Sequence, residues 1–327
     1  MNNRISIIIP VYNAENYLRE TLDSFICQTF TDWQMILVND GSSDKSLDII
    51  KEYSSKDSRI SFIDKINEGT AKARAAGIDA ATGKYILSFD SDDFLYPDAL
   101  ETLYNLAANN NADIVAIPFY FLNPDGSREN SYKLEFTKTD GISYLNDLFC
   151  NKAHWPLWAN FIKTSLLKKP DIDFSHGINS GEDMITLVQI IDKDTKIVAC
   201  PVPLIDYKVR EDSVSRKVTP RFYSELGKCL EFAENSLKRK RGGEIYKYVK
   251  NSIEKAWIIH YLHEIFWGCD NKVPENLKKA KYLLFRHPSA WRMMPEPMKK
   301  LMKKYIFHPR KGIERAHMLA NLYTTTK

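Results

Sequence analysis

Apolar runs of strand length alternate with stretches of helical periodicity across the first third of the chain, and this alternation restricts the fold more than any other feature. It predicts βα units whose strands lie parallel in one sheet, an α/β architecture. Ile5 to Ile9 is the first run, and Tyr17, Leu18, Leu22, Phe25 and Ile26 then recur on one helical face. A second strand is expected at Met35 to Val38, a helix over Leu47, Ile49, Ile50 and Tyr53, and a third strand near Ile60 to Ile63. An alanine-rich helix from Gly69 to Ala81 follows. The fourth strand, Tyr85 to Phe89, runs into Asp90-Ser91-Asp92-Asp93, and a helix around Asp98 to Ala108 leads to Ile114-Val115-Ala116-Ile117. Between Asn123 and Tyr132 the chain is polar around Pro124-Asp125-Gly126, which predicts a hairpin or a mobile loop.

At 327 residues the chain is long enough for a large core and an appendage. Motif-bearing sequence ends near Pro220, so we expect one domain over 1–220 and a helical, basic extension over 221–327. No apolar run approaches the length of about 18 residues needed to cross a bilayer. Met1-Asn2-Asn3-Arg4 lacks the small-residue cleavage site of a secretory signal, so a cytoplasmic protein is expected. Five scattered cysteines without a C-x-x-C pair argue against a disulfide framework and a structural zinc site. The net charge of +4 is uneven. From Asp270 to Arg315 there are 13 Lys or Arg against 4 Asp or Glu, so the basic character is local.

The acidic cluster is the first sign of chemistry. Side chains alternate along an extended segment, so Asp90 and Asp92 point to the same side, where two hard oxygen ligands suit a divalent cation that bridges a diphosphate. Pro10-Val11-Tyr12-Asn13, Asn39-Asp40-Gly41 and Asn67-Glu68-Gly69 give three more strand ends polar tips, the arrangement of a nucleotide crevice. Turn formation and helix capping account for single members such as Asn13 and Asp44, but not for their joint arrangement.

With these residues in view, the sequence resembles glycosyltransferase family 2, inverting enzymes of the GT-A fold that use nucleotide sugars. The resemblance covers about Ile5 to Ser215 and rests on Ile9-Pro10-Val11-Tyr12-Asn13, Val38 to Asp44, Asn67-Glu68-Gly69 with Ala73-Arg74 and Gly77-Ile78, Asp90-Ser91-Asp92-Asp93, and Gly181-Glu182-Asp183. It implies a Rossmann-like, mostly parallel sheet. It further implies that Pro10, Tyr12 and Asp40 border the base and ribose, with Asp40 accepting from the base imide, which suits a UDP-sugar. Asn13, Asn67, Gly69, Arg74, Asp90 and Ser91 are expected around the nucleotide, and Asp92 as the ligand of Mg²⁺ or Mn²⁺.

An acceptor hydroxyl must lose a proton as it attacks, which calls for a carboxylate within hydrogen-bond reach. Asp183 is the expected base, with Glu182 beside it. Acidic residues in a first helical turn are the competing account, because the segment precedes an amphipathic helix. Two departures from the family pattern matter. Arg210 stands where relatives often carry His; a guanidinium cannot ligate metal, so it is expected on phosphate oxygens. Ala75 and Ala159-Asn160 replace other usual residues. Trp155 and Trp158 fit either a sugar-stacking role or core packing, and His260 and His263 read as ordinary helix residues.

In the basic tail, Met298, Leu301, Met302, Tyr305 and Ile306 form an apolar stripe opposite Lys299, Lys300, Lys303 and Lys304. Such a helix either docks on the catalytic domain or lies on an anionic membrane, helped there by Lys278, Lys279, Lys281, Arg286 and Arg292 with Tyr282, Phe285 and Trp291, and membrane contact is the favoured expectation. No nucleic-acid-binding motif accompanies the charge, so no nucleic-acid partner is expected. The function expected is transfer of a hexosyl or N-acetylhexosaminyl group from a nucleotide sugar to a glycan or lipid-linked acceptor in bacterial surface polysaccharide synthesis, at the inner face of the cell membrane. The alternatives are a nucleotidyl- or phosphotransferase on the same acidic site and a catalytically silent sugar-nucleotide-binding protein.

Overall fold

A computed structural model describes residues 4–131, 133–174, 181–210, 219–266 and 272–324. The elements run β1 (Ile5–Val11), α1 (Leu18–Ile26), β2 (Trp33–Asp40), α2 (Ser46–Lys56), β3 (Ile60–Lys65), α3 (Thr70–Ala80), β4 (Tyr85–Ser88), β5 (Phe94–Leu95), α4 (Ala99–Asn109) and β6 (Ile114–Ala116). There follow β7 (Tyr120–Leu122), β8 (Arg128–Asn130), β9 (Lys138–Asp140), α5 (Gly141–Phe149), β10 (Asn160–Lys163), α6 (Thr164–Leu167), α7 (Glu182–Ile190), β11 (Lys196–Ala199) and β12 (Ile205–Lys208). Among the described residues the chain continues with α8 (Pro220–Arg239), α9 (Glu244–Phe266), α10 (Val273–Arg286), α11 (Glu296–Phe307) and α12 (Pro309–Thr324).

The chain divides into two compact units, 1–144 with 152–211, and 145–151 with 212–327. In the first, eight strands form a sheet of order β3-β2-β1-β4-β10-β6-β11-β9, and a second sheet has the order β5-β12-β7-β8. β3, β2, β1 and β4 are parallel neighbours, as the βα alternation predicts. β1 and β2 are buried almost throughout, as strands covered on both faces must be, whereas β3 at the edge is mostly open. β10 enters antiparallel between β4 and β6. The polar stretch after Leu122 forms the expected hairpin, β7 pairing antiparallel with β8.

Because β1 to β4 run the same way, the segments leaving all four share one edge of the sheet. α3 returns across them at close range. A Cβ added at Gly77 would meet Ile8 Cγ2 at 2.4 Å, so glycine there lets the helix ride directly on β1 and brings buried Arg74, one turn earlier, toward that edge.

The second unit has its own core, in which Ile258, Leu262, Ile265, Leu277, Met298, Leu301 and Met302 are buried together. This corrects the expectation for the apolar stripe of α11. Met298, Leu301 and Met302 pack inside this unit, because α9 and α10 supply the apolar surface they need. His260 and His263 are packing residues on α9, and burial pushes both imidazoles down to about 4. Among the described residues no helix is long and apolar enough to cross a membrane.

Candidate active site

The nucleotide-side residues gather at the shared edge of β1 to β4. Tyr12 leaves β1 with its ring 55% exposed, and Pro10 is half-buried behind it. Asn13 takes a left-handed φ of 50° and its Oδ1 accepts from the Ser43 N–H at 2.8 Å, while its own N–H donates to Ser42 Oγ at 3.1 Å. The loops after β1 and β2 are thereby tied together. Gly41 has a φ of 72°, and a Cβ there would meet the Asn67 nitrogen at 2.7 Å. Glycine is required because the loop after β3, with Asn67 exposed on it, passes directly over this position.

Asp40 has a different immediate task from the one expected. Its Oδ1 accepts from the Glu68 N–H and from Lys65 Nζ, both at 3.0 Å, and its Oδ2 accepts from the Gly69 N–H at 2.8 Å. The carboxylate is buried and orders the Asn67–Gly69 loop, which Gly69 then joins to α3 at a φ of 93°. Any bond to a base imide must share oxygens already engaged in this way.

One ligand oxygen each from Asp90, Asp92 and Asp93 lie within 4.8 Å of one another, with half-buried Ser91 between the first two in sequence. Asp93 is buried and accepts from the Lys208 N–H at 3.0 Å, and burial drives its carboxyl well above the ordinary range. Asp92 is pushed up to about 6 by burial and then by Asp90, against the opposing pull of Arg210. Arg210, for which phosphate oxygens are the expected partner, pairs its guanidinium with Asp92 and lies 4.1 Å from the centre of the Tyr17 ring.

A buried guanidinium links this cluster to the expected base. Arg74 Nη2 donates to Asp90 Oδ1 at 2.9 Å, and Nη1 donates to Asp183 Oδ1 at 2.8 Å and to Glu182 Oε1 at 3.0 Å. The rigid fork places the Asp90 and Asp183 oxygens no more than roughly 8 Å apart. Glu182 and Asp183 reach it because Gly181, at a φ of 91°, turns the chain into α7 immediately before them. Burial works against the charge on Arg74, yet Asp183, Asp90 and Glu182 together raise its pKa. Asp183 is pushed up to about 7 by burial, with Glu182 and Asp90 adding to the effect and Arg74 and the Leu157 backbone opposing it.

Five carboxylates, from Asp90, Asp92, Asp93, Glu182 and Asp183, therefore face the two guanidinium groups of Arg74 and Arg210. This excess of negative charge explains why burial wins at Asp92 and Asp183. It also fits a hard divalent cation, since the clustered donors are all oxygens, and Oδ2 of Asp93 is buried without a hydrogen-bond partner among the described residues.

Several participants escape sequence reasoning. Tyr17, read as one of a helical apolar face, is the platform for Arg210. Asn160, noted only as a departure, is buried and donates to the carbonyls of His154 and Pro156 at 3.1 and 2.8 Å while accepting from the Tyr144 hydroxyl at 2.6 Å. It fixes the turn before Leu157. Trp158 is a core residue, stacked on Tyr207 at 5.4 Å between ring centres. The one signal in the sequence is an asparagine set inside the apolar run Leu157 to Ile162. The segments 175–180 and 211–218, which carry the rest of the motifs around Asp183 and Arg210, lie outside the described residues.

Against known proteins, the model for glycosyl transferase family 2 matches residues 6–179. Glycosyltransferase GlyA of Streptococcus pneumoniae is 31% identical over 69% of this chain and 33% of its own length. Poly(ribitol-phosphate) beta-glucosyltransferase of Bacillus spizizenii is 36% identical over 59% of this chain and 30% of its own. The chain thus spans about a third of these relatives. Among solved structures, S. aureus TarS 1–349 in complex with UDP-GlcNAc superposes with a TM-score of 0.65 at 18% identity, over 99% of this chain and 92% of that one. The likeness bears out the expected GT-A-like fold, a mostly parallel sheet flanked by helices and followed by C-terminal helices.

Proposed function

The chain belongs to glycosyl transferase family 2, and we propose that it transfers a hexosyl or N-acetylhexosaminyl group from a UDP-sugar to a hydroxyl of a glycan or lipid-linked acceptor, with inversion, in assembly of a bacterial cell-surface polysaccharide. The observation that carries this reading is Arg74, whose one guanidinium joins Asp90 of the acidic cluster to Asp183 across the cleft. A base and a diphosphate-side carboxylate held on one guanidinium line the same cleft, as transfer of a single sugar requires. The poly(ribitol-phosphate) beta-glucosyltransferase likeness supports a surface-polymer acceptor, and the UDP-GlcNAc complex of a structural neighbour supports a uridine donor.

In this reading Tyr12 offers its exposed ring to the base, and the loop ordered by Asp40 borders the ribose. Asp92, with Asp90 beside it, would hold Mg²⁺ or Mn²⁺, which when bound offsets the charge of the departing diphosphate. Arg210 is within reach of the same diphosphate once it leaves Asp92. Asp183 accepts the proton of the acceptor hydroxyl as that oxygen bonds to the anomeric carbon and the carbon–oxygen bond to the diphosphate breaks. The place of action proposed is the cytoplasmic side, peripheral to the membrane.

The test is a panel of nucleotide sugars with Mn²⁺, read by thermal stabilisation. One uridine-linked donor should raise the melting temperature by mass action, and the rise should vanish in Asp92→Ala. Equal responses to all nucleotides, or none, would remove the reading.

A further inference from the structure

The second unit carries a surface that the chemistry of the first does not use. On α10, Lys278, Lys281, Tyr282 and Phe285 follow a helical spacing of three and four and lie opposite buried Val273, Leu277, Ala280 and Leu284. Tyr282 is 62% and Phe285 65% exposed, and Phe307 at the end of α11 is 75% exposed. Beside Phe285 opens an apolar cleft of about 280 Å³ lined by Leu284, Phe285, Pro288, Trp291 and Ile306. Cations sit over the rings at its rim: Lys281 Nζ is 5.9 Å from the Phe285 ring, Lys303 Nζ is 5.9 Å from the Trp291 ring, and the Arg286 guanidinium is 5.7 Å from the Tyr282 ring. Between Lys278 and Lys311 the only carboxylate in the sequence is Glu296, and Lys299 pairs with it at 2.8 Å.

We infer that this cleft and its cationic rim are the surface by which the protein sits on an anionic lipid bilayer, an inference that rests on the membrane-peripheral placement proposed above. Phe285, Tyr282 and Phe307 enter the boundary between headgroups and acyl chains, while Lys281, Lys303 and Arg292 meet the phosphates; Arg286 is held by Glu254 of α9 at 3.4 Å. The charge selects this occupant. A second copy would bring an equally basic face and repel, and a polyanion without an apolar layer would leave the aromatic side chains in water. The contact keeps the cations and rings that the sequence places around α10 and drops the α11 stripe, which is spent in the core.

The experiment is sedimentation of the full chain with vesicles of phosphatidylcholine alone or mixed with phosphatidylglycerol, using wild type, Phe285→Ser, Tyr282→Ser and Lys281→Glu/Lys303→Glu. Wild type should favour the anionic vesicles and be released by salt. Each aromatic variant should bind about fivefold more weakly or worse, and the charge-reversed variant should not bind. Melting temperature and the response to UDP with Mn²⁺ should stay at wild-type values in all variants, which separates loss of the surface from loss of the fold or of the transferase site. Wild-type indifference to vesicle charge overturns the membrane placement itself. Preference for anionic vesicles in wild type, retained in all the variants, overturns this surface alone. If Phe285→Ser halves the mass in solution and leaves vesicle binding intact, the cleft seats a second copy and the inference falls.

Discussion

Arg74 Nη1 lies 2.8 Å from Asp183 Oδ1 although the two residues are 109 positions apart in the chain. The pair forces the segment entering α7 against the helix that rides on β1, and so converts two distant acidic motifs into one cleft. The chemistry proposed for the protein depends on that convergence.

Replacing Asp183 with Asn keeps the shape and removes the base. We expect kcat to fall by about 10²- to 10⁴-fold, with donor affinity and melting temperature close to wild type. Steady-state kinetics with donor and acceptor, together with thermal stabilisation by UDP, check this. Unchanged turnover would point to a nucleotidyl- or phosphotransferase on the acidic cluster, which has no use for this carboxylate.

The pH profile follows from the direction of the Asp183 shift. Its pKa is raised from the ordinary 3.8 to about 7, so the group stays protonated, and idle as a base, below that value. Activity should therefore rise with pH through about 7 in kcat/KM. Asp92, raised to about 6, must also lose its proton before it can hold a cation, which steepens the acid limb. Both carboxyls bind protons more tightly folded than unfolded, so their contribution to stability falls as pH climbs from about 4 toward 7. A metal-free melting series should show that decline, and Mn²⁺ should offset it above pH 7. An acid limb near 4 would contradict the assignment.

Arg74→Met leaves Asp90, Glu182 and Asp183 facing one another without their shared cation. Removing one partner of a buried ion-pair network costs about 3–5 kcal/mol, which denaturant titration resolves. The residual activity should have its acid limb displaced to higher pH, since the charge that opposes protonation of Asp183 is gone. A purely structural role would lower stability without moving that limb.

Arg210→Ala removes the cation that pairs with Asp92. Mn²⁺ alone should then bind about tenfold more tightly, equivalent to roughly 1.4 kcal/mol, because no guanidinium has to be displaced. The donor KM should rise at the same time if Arg210 moves to the diphosphate. Calorimetry with Mn²⁺ in the absence of nucleotide reads the first effect. Unchanged affinity would mean that the pair does not compete with the cation.

The sequence is most legible where local pattern and tertiary structure agree. β1 to β4 with their helices fall where the sequence pattern places them; β1, β2 and β4 are mostly apolar because they are buried on both faces, and β3 at the edge is not. The antiparallel entry of β10 between β4 and β6, and the small second sheet, are not legible. Their strands have two to four residues, too few for a period, and apart from the expected β7–β8 hairpin are defined by partners far away in sequence. The acidic motifs are visible as motifs, but nothing in Ala73-Arg74 announces that Arg74 holds three carboxylates, one 16 and two more than 100 residues away. The stripe on α11 is equally visible, and its pattern is the same whether a core or a membrane covers it.

The central claim is that Asp92 and Asp183 flank one pocket the width of a single sugar. Anomalous diffraction from crystals grown with Mn²⁺ and UDP locates the cation against both residues in one measurement. Mn²⁺ should lie within about 2.3 Å of an Asp92 oxygen, with the Asp183 carboxylate within about 10 Å on the far side of the space left for the sugar. Mn²⁺ held away from Asp92, or Asp183 more than about 15 Å from the β-phosphate with protein between them, would contradict it.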